Sequence, residues 1–89
     1  MAVIVTAQVA GQTKEGYDAM MATLGPIVQA APGFILNGAY EEDGEWRVIE
    51  IWETQKQAAE FFARYVHPNL PPGIKPRRTM HELHVLVRK

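Results

Sequence analysis

A histidine and a glutamate near the carboxyl terminus have the residue types and the spacing that acid–base chemistry requires. His84 follows Glu82 by two positions, and side chains two apart on a strand point to the same side of the sheet. A carboxylate that orients an imidazole makes His84 a candidate general base near neutral pH. The simpler alternative is a histidine that lies partly buried at a subunit contact and bonds to the backbone.

Trp52 is the second candidate catalytic residue, because it closes the apolar run WRVIEIW. An indole at the end of a buried strand can line a ligand cavity and donate one hydrogen bond. Glu50, two positions earlier, is a candidate to lie on a surface that faces His84. The alternative for Trp52 is core packing with its N–H group satisfied.

Aromatic and methionine side chains at helical spacing predict an apolar wall that suits a flat aromatic ligand. They are Met20, Met21, Phe61, Phe62 and Tyr65. Further candidates for contact with such a ligand are Asn37, Tyr40, Arg47 and His67, and Lys75, Arg77 and Arg78 form a short basic run that could hold an anion. Core packing and ordinary solvated charge explain the same residues without a ligand.

The composition excludes several kinds of chemistry. None of the 89 residues is cysteine, which rules out a thiol nucleophile, a thiolate zinc site, an iron–sulfur cluster and a disulfide. His81 and His84 are three apart on a predicted strand and face opposite ways, so we expect no metal site. No glycine-rich dinucleotide fingerprint or P-loop is present. We therefore expect no cofactor.

Charge and hydropathy limit the kinds of binding partner and the cellular location that we expect for the protein. The net charge of −1 lacks the broad positive field that nucleic-acid binding needs. The amino-terminal segment MAVIVTAQVA has no basic residue and is too short and too quickly polar for a signal peptide or a membrane span. We expect a cytoplasmic protein with neither nucleic-acid nor membrane partners.

The first half of the chain predicts a strand, a helix and a hairpin. Alternation from Ala2 to Val9 predicts strand one, and Thr13 is the expected N-cap of helix one. Gly25-Pro26 lies inside that helix and should kink or divide it. The runs FILNGAY and WRVIEIW predict strands two and three, which a type I′ turn at Asp43-Gly44 joins.

The second half predicts one more helix and one more strand. Thr54 and Gln57 form a capping box at the start of helix two. The proline-rich segment from His67 to Thr79 predicts a stiff loop that covers a pocket or reaches across a dimer. Strand four is predicted from Met80 to Val87. The chain is therefore a single α+β domain, residues 1–89, in βαββαβ order.

One face of this sheet is too apolar to be left in water. Two helices cover one face of a four-stranded sheet, so the other face should be mostly charged. Instead, Ile4 lies on that face of strand one and Ile49 and Ile51 on that face of strand three. Two copies stacked face to face would remove this surface from water. The sequence therefore predicts a homodimer.

Several segments resemble the antibiotic biosynthesis monooxygenase domain family. Ala31-Pro32-Gly33-Phe34 resembles the family's helix-to-strand junction, and the segment from Val48 to Thr54 resembles its third strand. The helix from Gln55 to Tyr65 and the last segment, ELHVLV, are also similar, so that the likeness covers nearly the whole chain. The resemblance implies ferredoxin-like subunits with four-stranded antiparallel sheets, paired as a dimeric α/β barrel.

The resemblance also implies a range of functions. Characterised members include cofactor-free oxygenases of electron-rich phenols or quinols, and a separate branch binds and degrades haem. The haem branch has an asparagine on strand one, a tryptophan on helix two and a histidine near that helix's end. Ala7 or Gln8, Phe61 and Pro71 occupy those positions here, and His67, the candidate for a displaced histidine, is not expected to replace the missing one. Haem is therefore not expected.

The leading hypothesis is a homodimeric monooxygenase that binds a small aromatic or quinol and deprotonates it through His84 or another base. Its anion would then react directly with oxygen, without a cofactor. The first alternative is a ligand-binding or assembly module of the same fold without catalysis, and the second is a haem-binding relative.

Overall fold

A computed structural model, which describes residues 1–89, shows a four-stranded antiparallel sheet with two helices on one face. The strands are β1 (Val3–Ala10), β2 (Phe34–Glu42), β3 (Glu45–Trp52) and β4 (Lys75–Glu82), in the order β2-β3-β1-β4. The helices are α1 (Lys14–Gln29) and α2 (Gln55–Phe61), and a π-helical turn (Phe62–Val66) and a 3₁₀ turn (His67–Asn69) extend α2. The predicted α+β class and βαββαβ order are confirmed. Neither helix is long and apolar enough to cross a membrane.

Local signals begin and end the elements largely where they were predicted. Thr13 Oγ1 accepts a hydrogen bond from the Gly16 backbone N–H at 3.0 Å and caps α1. The hairpin residues Asp43 and Gly44 have φ angles of 54° and 72°, as a type I′ turn requires. α1 continues through Pro26 as one helix, so the predicted division does not occur.

The capping box of α2 forms only in part. Thr54 Oγ1 accepts from the Gln57 backbone N–H at 3.2 Å, as predicted. The Gln57 side chain, however, accepts a hydrogen bond from the Thr54 hydroxyl at 2.9 Å instead of bonding to the Thr54 backbone. The cap therefore satisfies one backbone donor of α2 rather than two.

The core lies between the helices and the inner face of the sheet. Every second residue of β1, from Val3 to Val9, is buried there, while the residues between them are only half-buried. Trp52, 1% exposed, packs its ring against Phe34 and Phe61 at centroid distances of 5.4 and 5.3 Å. The predicted alternation of β1 is confirmed.

The predicted position of strand four is wrong by five residues. β4 runs from Lys75 to Glu82, and the irregular connection before it is only residues 70–74. Pro76 is tolerated because β4 is an edge strand, where alternate N–H groups need no partner. β4 cannot extend to Val87, because its last pair is Glu82 with Val3, the first residue of β1.

The outer face of the sheet, opposite the helices, carries apolar side chains that nothing in the chain covers. The strand register places Ile4 beside Ile51, Ile51 beside Leu36 and Ile49 next to Thr6. Leu36 is 40% exposed and Tyr40 is 47% exposed. We use the name outer face below for the surface around Ile4, Leu36, Tyr40, Ile49 and Ile51.

Candidate functional site

An interior cavity lies between the helices and the inner face of the sheet. Its volume is about 60 Å³, counted as space open to the centre of a water molecule. A water whose centre can move through a space of this size has ample room, so the cavity can hold several waters or a small aromatic ligand. Its walls are mostly apolar, and its polar side chains are Gln12, Tyr17, Asn37, Glu50 and Arg78. Such a lining suits an aromatic ligand that carries a few oxygens.

Glu50 brings a carboxylate into this cavity because it alternates with Val48 and Trp52 on the inner side of β3. Its Oε1 atom accepts a hydrogen bond from the indole Nε1 of Trp52 at 2.9 Å. The indole is held in the core, so this bond orients the carboxylate. Trp52 itself does not line the cavity, and it acts on the site through Glu50.

Asn37 of β2 lies directly beside Glu50 in the strand register, and Tyr17 of α1 lines the same cavity. Burial raises the pKa of Tyr17, hydrogen bonding to Asn37 partly offsets this, and the carboxylates of Glu50 and Asp18 raise it further. Tyr17 is therefore a neutral phenol that can donate a hydrogen bond at neutral pH. Asn37 Oδ1 is buried without a hydrogen-bond partner, which costs free energy, and a ligand hydroxyl could satisfy it.

The raised pKa of Tyr17 predicts a loss of stability in alkali. The folded chain holds the phenolic proton more tightly than the unfolded chain does, so the stabilisation is complete below pH 10.0, the ordinary value. It is lost as the pH rises through the higher folded-state pKa. Tyr17→Phe should remove this part of the loss, with the exposed Tyr40→Phe as control. Denaturant unfolding over an alkaline pH series tests this, and superimposable profiles for wild type and Tyr17→Phe would contradict it.

Arg78 places a positive charge at the opposite side of the cavity. It lies on the inner side of β4, paired with Ala7 of β1, and its guanidinium carbon is 3.8 Å from the centroid of the Phe62 ring. Burial lowers its pKa and Glu50 raises it, and a guanidinium stays protonated in proteins. None of the salt bridges in the structure includes Arg78. Its charge is thus free to meet an anionic ligand atom.

Five of the predicted ligand contacts line the cavity together: Met20, Met21, Asn37, Phe61 and Phe62. Tyr65 does not. Its ring packs against Phe61 at 5.1 Å, and with Trp52 it borders a separate, shallow pocket near Pro32. The aromatic and methionine side chains at helical spacing therefore lie partly in the cavity wall and partly in the core behind it.

Three further predicted site residues lie outside the cavity. Arg47 pairs with Gln8 on the outer side of the sheet and forms a salt bridge to Glu42 at 3.4 Å. His67 is exposed, with its ring 6.1 Å from that of Phe62. His84 is exposed in the tail beyond β4, so the strand geometry that would have set it beside Glu82 is absent.

Sequence reasoning missed Tyr17, Glu50 and Arg78 as members of one site. Glu50 had a usable signal, since an acid between Val48 and Trp52 on a buried side of a strand is unusual. Tyr17 has no neighbour in the sequence that marks it as a site residue. The sequence predicts a loop at Arg78 because its pattern begins strand four only at Met80, whereas β4 begins at Lys75.

The sequence matches no protein-family model and no curated protein sequence. Solved structures with the same fold are nevertheless found. One is SnoaB from Streptomyces nogalater, a cofactor-independent oxygenase: a mutant form of it is 12% identical, with a TM-score of 0.64 over 99% of this chain and 97% of SnoaB. Rv0793 from Mycobacterium tuberculosis is 15% identical, with a TM-score of 0.72 over 99% of this chain and 100% of Rv0793.

A third similar structure is the heme-degrader MhuD from Mycobacterium tuberculosis, with two hemes bound in its active site. It is 15% identical, with a TM-score of 0.63 over 99% of this chain and 100% of MhuD. These likenesses span both chains almost completely, and they confirm the ferredoxin-like fold that the family resemblance predicted.

Proposed function

We propose that this chain is a member of the antibiotic biosynthesis monooxygenase family that oxygenates a small, electron-rich phenol without a cofactor. The observation that carries the proposal is the convergence of the Glu50 carboxylate and the Arg78 guanidinium on one apolar cavity. A base and a fixed cation are the two groups needed to make and hold a phenolate. The shared fold with SnoaB, a cofactor-independent oxygenase, supports the same conclusion.

Glu50 is the base in this proposal. Its Oε1 atom is already bonded to the Trp52 indole, while no hydrogen bond within the chain engages Oε2. Oε2 would take the phenolic proton. The Tyr17 hydroxyl and the Asn37 amide would then donate hydrogen bonds to the phenolate oxygen, and Arg78 would stabilise its charge, which is worth more in an apolar cavity than in water.

The phenolate supplies the electrons for the oxygen chemistry. A naphthol would lose its hydroxyl hydrogen and one ring hydrogen, gain one oxygen atom at that ring carbon, and become a naphthoquinone. The second atom of dioxygen would leave as water with those two hydrogens. The substrate is the only reductant in this balance, so the reaction requires no flavin or metal.

The proposal includes a homodimer joined through the outer face. The apolar side chains around Ile49 and Ile51 have no cover within the chain, and a second copy would bring the same surface to meet them. Stacking the two sheets would leave each cavity on the helical side of its own subunit.

Oxygen consumption with a panel of naphthols and naphthoquinols tests the proposal. We expect the purified protein to consume oxygen faster than the substrates autoxidise alone or with heat-denatured protein. With a naphthol and isotopically labelled dioxygen, one labelled atom should appear in the quinone. Quenching of tryptophan fluorescence by the same compounds without added oxygen consumption would instead support a binding module without catalysis.

Haem does not fit the residues of this site, although MhuD shares the fold. None of the three histidines lines the cavity, so iron would find no imidazole there. We therefore derive no step through haem.

A further inference from the structure

A depression on the protein surface lies directly outside the interior cavity. Its lining includes Phe62, His67, Leu70, Lys75, Pro76 and Arg78, and its volume is about 580 Å³, open to solvent. We call it the outer depression. Phe62, Leu70, Pro76 and Arg78 line both spaces, so the wall between the two is only one layer of side chains thick.

Phe62 contributes the aromatic ring of that wall. It begins the π-helical turn after α2 and stacks on the Arg78 guanidinium at 3.8 Å. The ring is half-buried and not locked in the core. π-helical turns interrupt the regular helical ladder and are frequent at functional sites, so this ring is well placed to move.

The two spaces differ in charge. Lys75, Arg78 and His67 border the outer depression, and no carboxylate lines it. The interior cavity contains Glu50 as its only carboxylate. A ligand with a negative group at one end and a phenol at the other would therefore lie with the negative group outward and the phenol at Glu50.

We propose that the cavity and the outer depression are two halves of one ligand site, divided by Phe62, for an elongated aromatic acid. The inner half holds the phenolic ring, and the outer half holds a carboxylate beside Lys75. Phe62 sets the length of ligand that the site accepts. This inference rests on the proposed function only in assigning the phenol to the interior cavity.

Anaerobic fluorescence titrations test the charge at the outer end. The probes are a hydroxynaphthoate, with hydroxyl and carboxylate at opposite ends, and the naphthol that lacks the carboxylate. Lys75→Gln should weaken hydroxynaphthoate binding by about threefold to fivefold, the worth of an exposed ion pair, and leave naphthol binding unchanged. Lys56→Gln, an exposed lysine on α2, is the matched control and should change neither.

A longer probe tests the role of Phe62. The hydroxy acid with one more fused ring should bind about tenfold more tightly to Phe62→Ala than to wild type, because the added ring is buried once the wall is removed. Phe62→Leu, which keeps more of the core volume, should show a smaller change in the same direction. Thermal unfolding of both variants verifies that they are folded.

The outcomes separate this inference from the oxygenase proposal. Equal loss of naphthol and hydroxynaphthoate binding in Lys75→Gln, or no binding of either probe to wild type, would overturn the two-part site. So would a lack of preference of both Phe62 variants for the longer probe. Binding as expected without oxygen consumption would overturn the oxygenase and leave the two-part site standing.

Discussion

Replacing Glu50 by glutamine should lower the rate of naphthol oxygenation by about a hundredfold to ten-thousandfold, the usual contribution of a positioned general base. Glutamine keeps the shape of the side chain and can still accept a hydrogen bond from Trp52, so the cavity should remain intact. It cannot take up the phenolic proton at neutral pH. The rate of oxygen consumption at saturating naphthol measures the effect.

The matched control for this prediction is Glu60→Gln. Glu60 is an exposed acid on α2 whose contact is an ion pair with Lys56 at 3.9 Å, and surface pairs of this kind contribute little. Its rate should equal that of the wild type. Naphthol binding by Glu50→Gln, measured without oxygen, should stay within a few fold of the wild type, which separates loss of the base from loss of the site.

A comparison with His84→Asn decides between the two candidate bases. His84 lies in the exposed tail and outside the cavity, so we expect this variant to keep the wild-type rate. Full activity in Glu50→Gln together with loss of activity in His84→Asn would show that Glu50 is not the base. That result would mean that, in the dimer, the tail of one subunit reaches the cavity of the other subunit.

Substituting lysine for Ile49 should convert the expected dimer into a monomer. Ile49 lies in the middle of the outer face, beside Thr6 and Gly38, where a charge would be buried without a partner. In a twofold dimer each substitution appears twice. The lost apolar burial alone amounts to about 3 to 6 kcal/mol for two side chains, which raises the dissociation constant by roughly a hundredfold to ten-thousandfold.

Sedimentation at micromolar concentration checks this expectation. The wild type should sediment as a dimer and Ile49→Lys as a folded monomer, with circular dichroism to verify the fold. Ala59→Lys adds the same charge at an exposed position on α2 and should remain dimeric. A wild type that sediments as a monomer would remove the outer-face interface from the proposed function, while the cavity and its chemistry would still be open to the oxygen assay.

The sequence by itself determined those features that depend on near neighbours in the chain. The alternation of β1, the positive φ angles at Asp43 and Gly44, and the Thr13 cap were all predicted and all observed. Each depends on steric or hydrogen-bonding rules that act within a few residues. The outward positions of Ile4, Ile49 and Ile51 also follow from local alternation, since residues on a strand face opposite sides in turn.

Only the tertiary structure decided that Tyr17, Glu50 and Arg78 meet in one site. The position of β4 depends on where β1 begins, and this pairing brings Arg78 inward beside Phe62 and leaves His84 in the tail. No spacing along the chain relates Tyr17 to Glu50, whereas Asn37 pairs with Glu50 in a register that the two-residue turn of the hairpin sets. Local patterns specify the direction of a side chain within its own element, but contact between elements depends on strand pairing and packing over the whole domain.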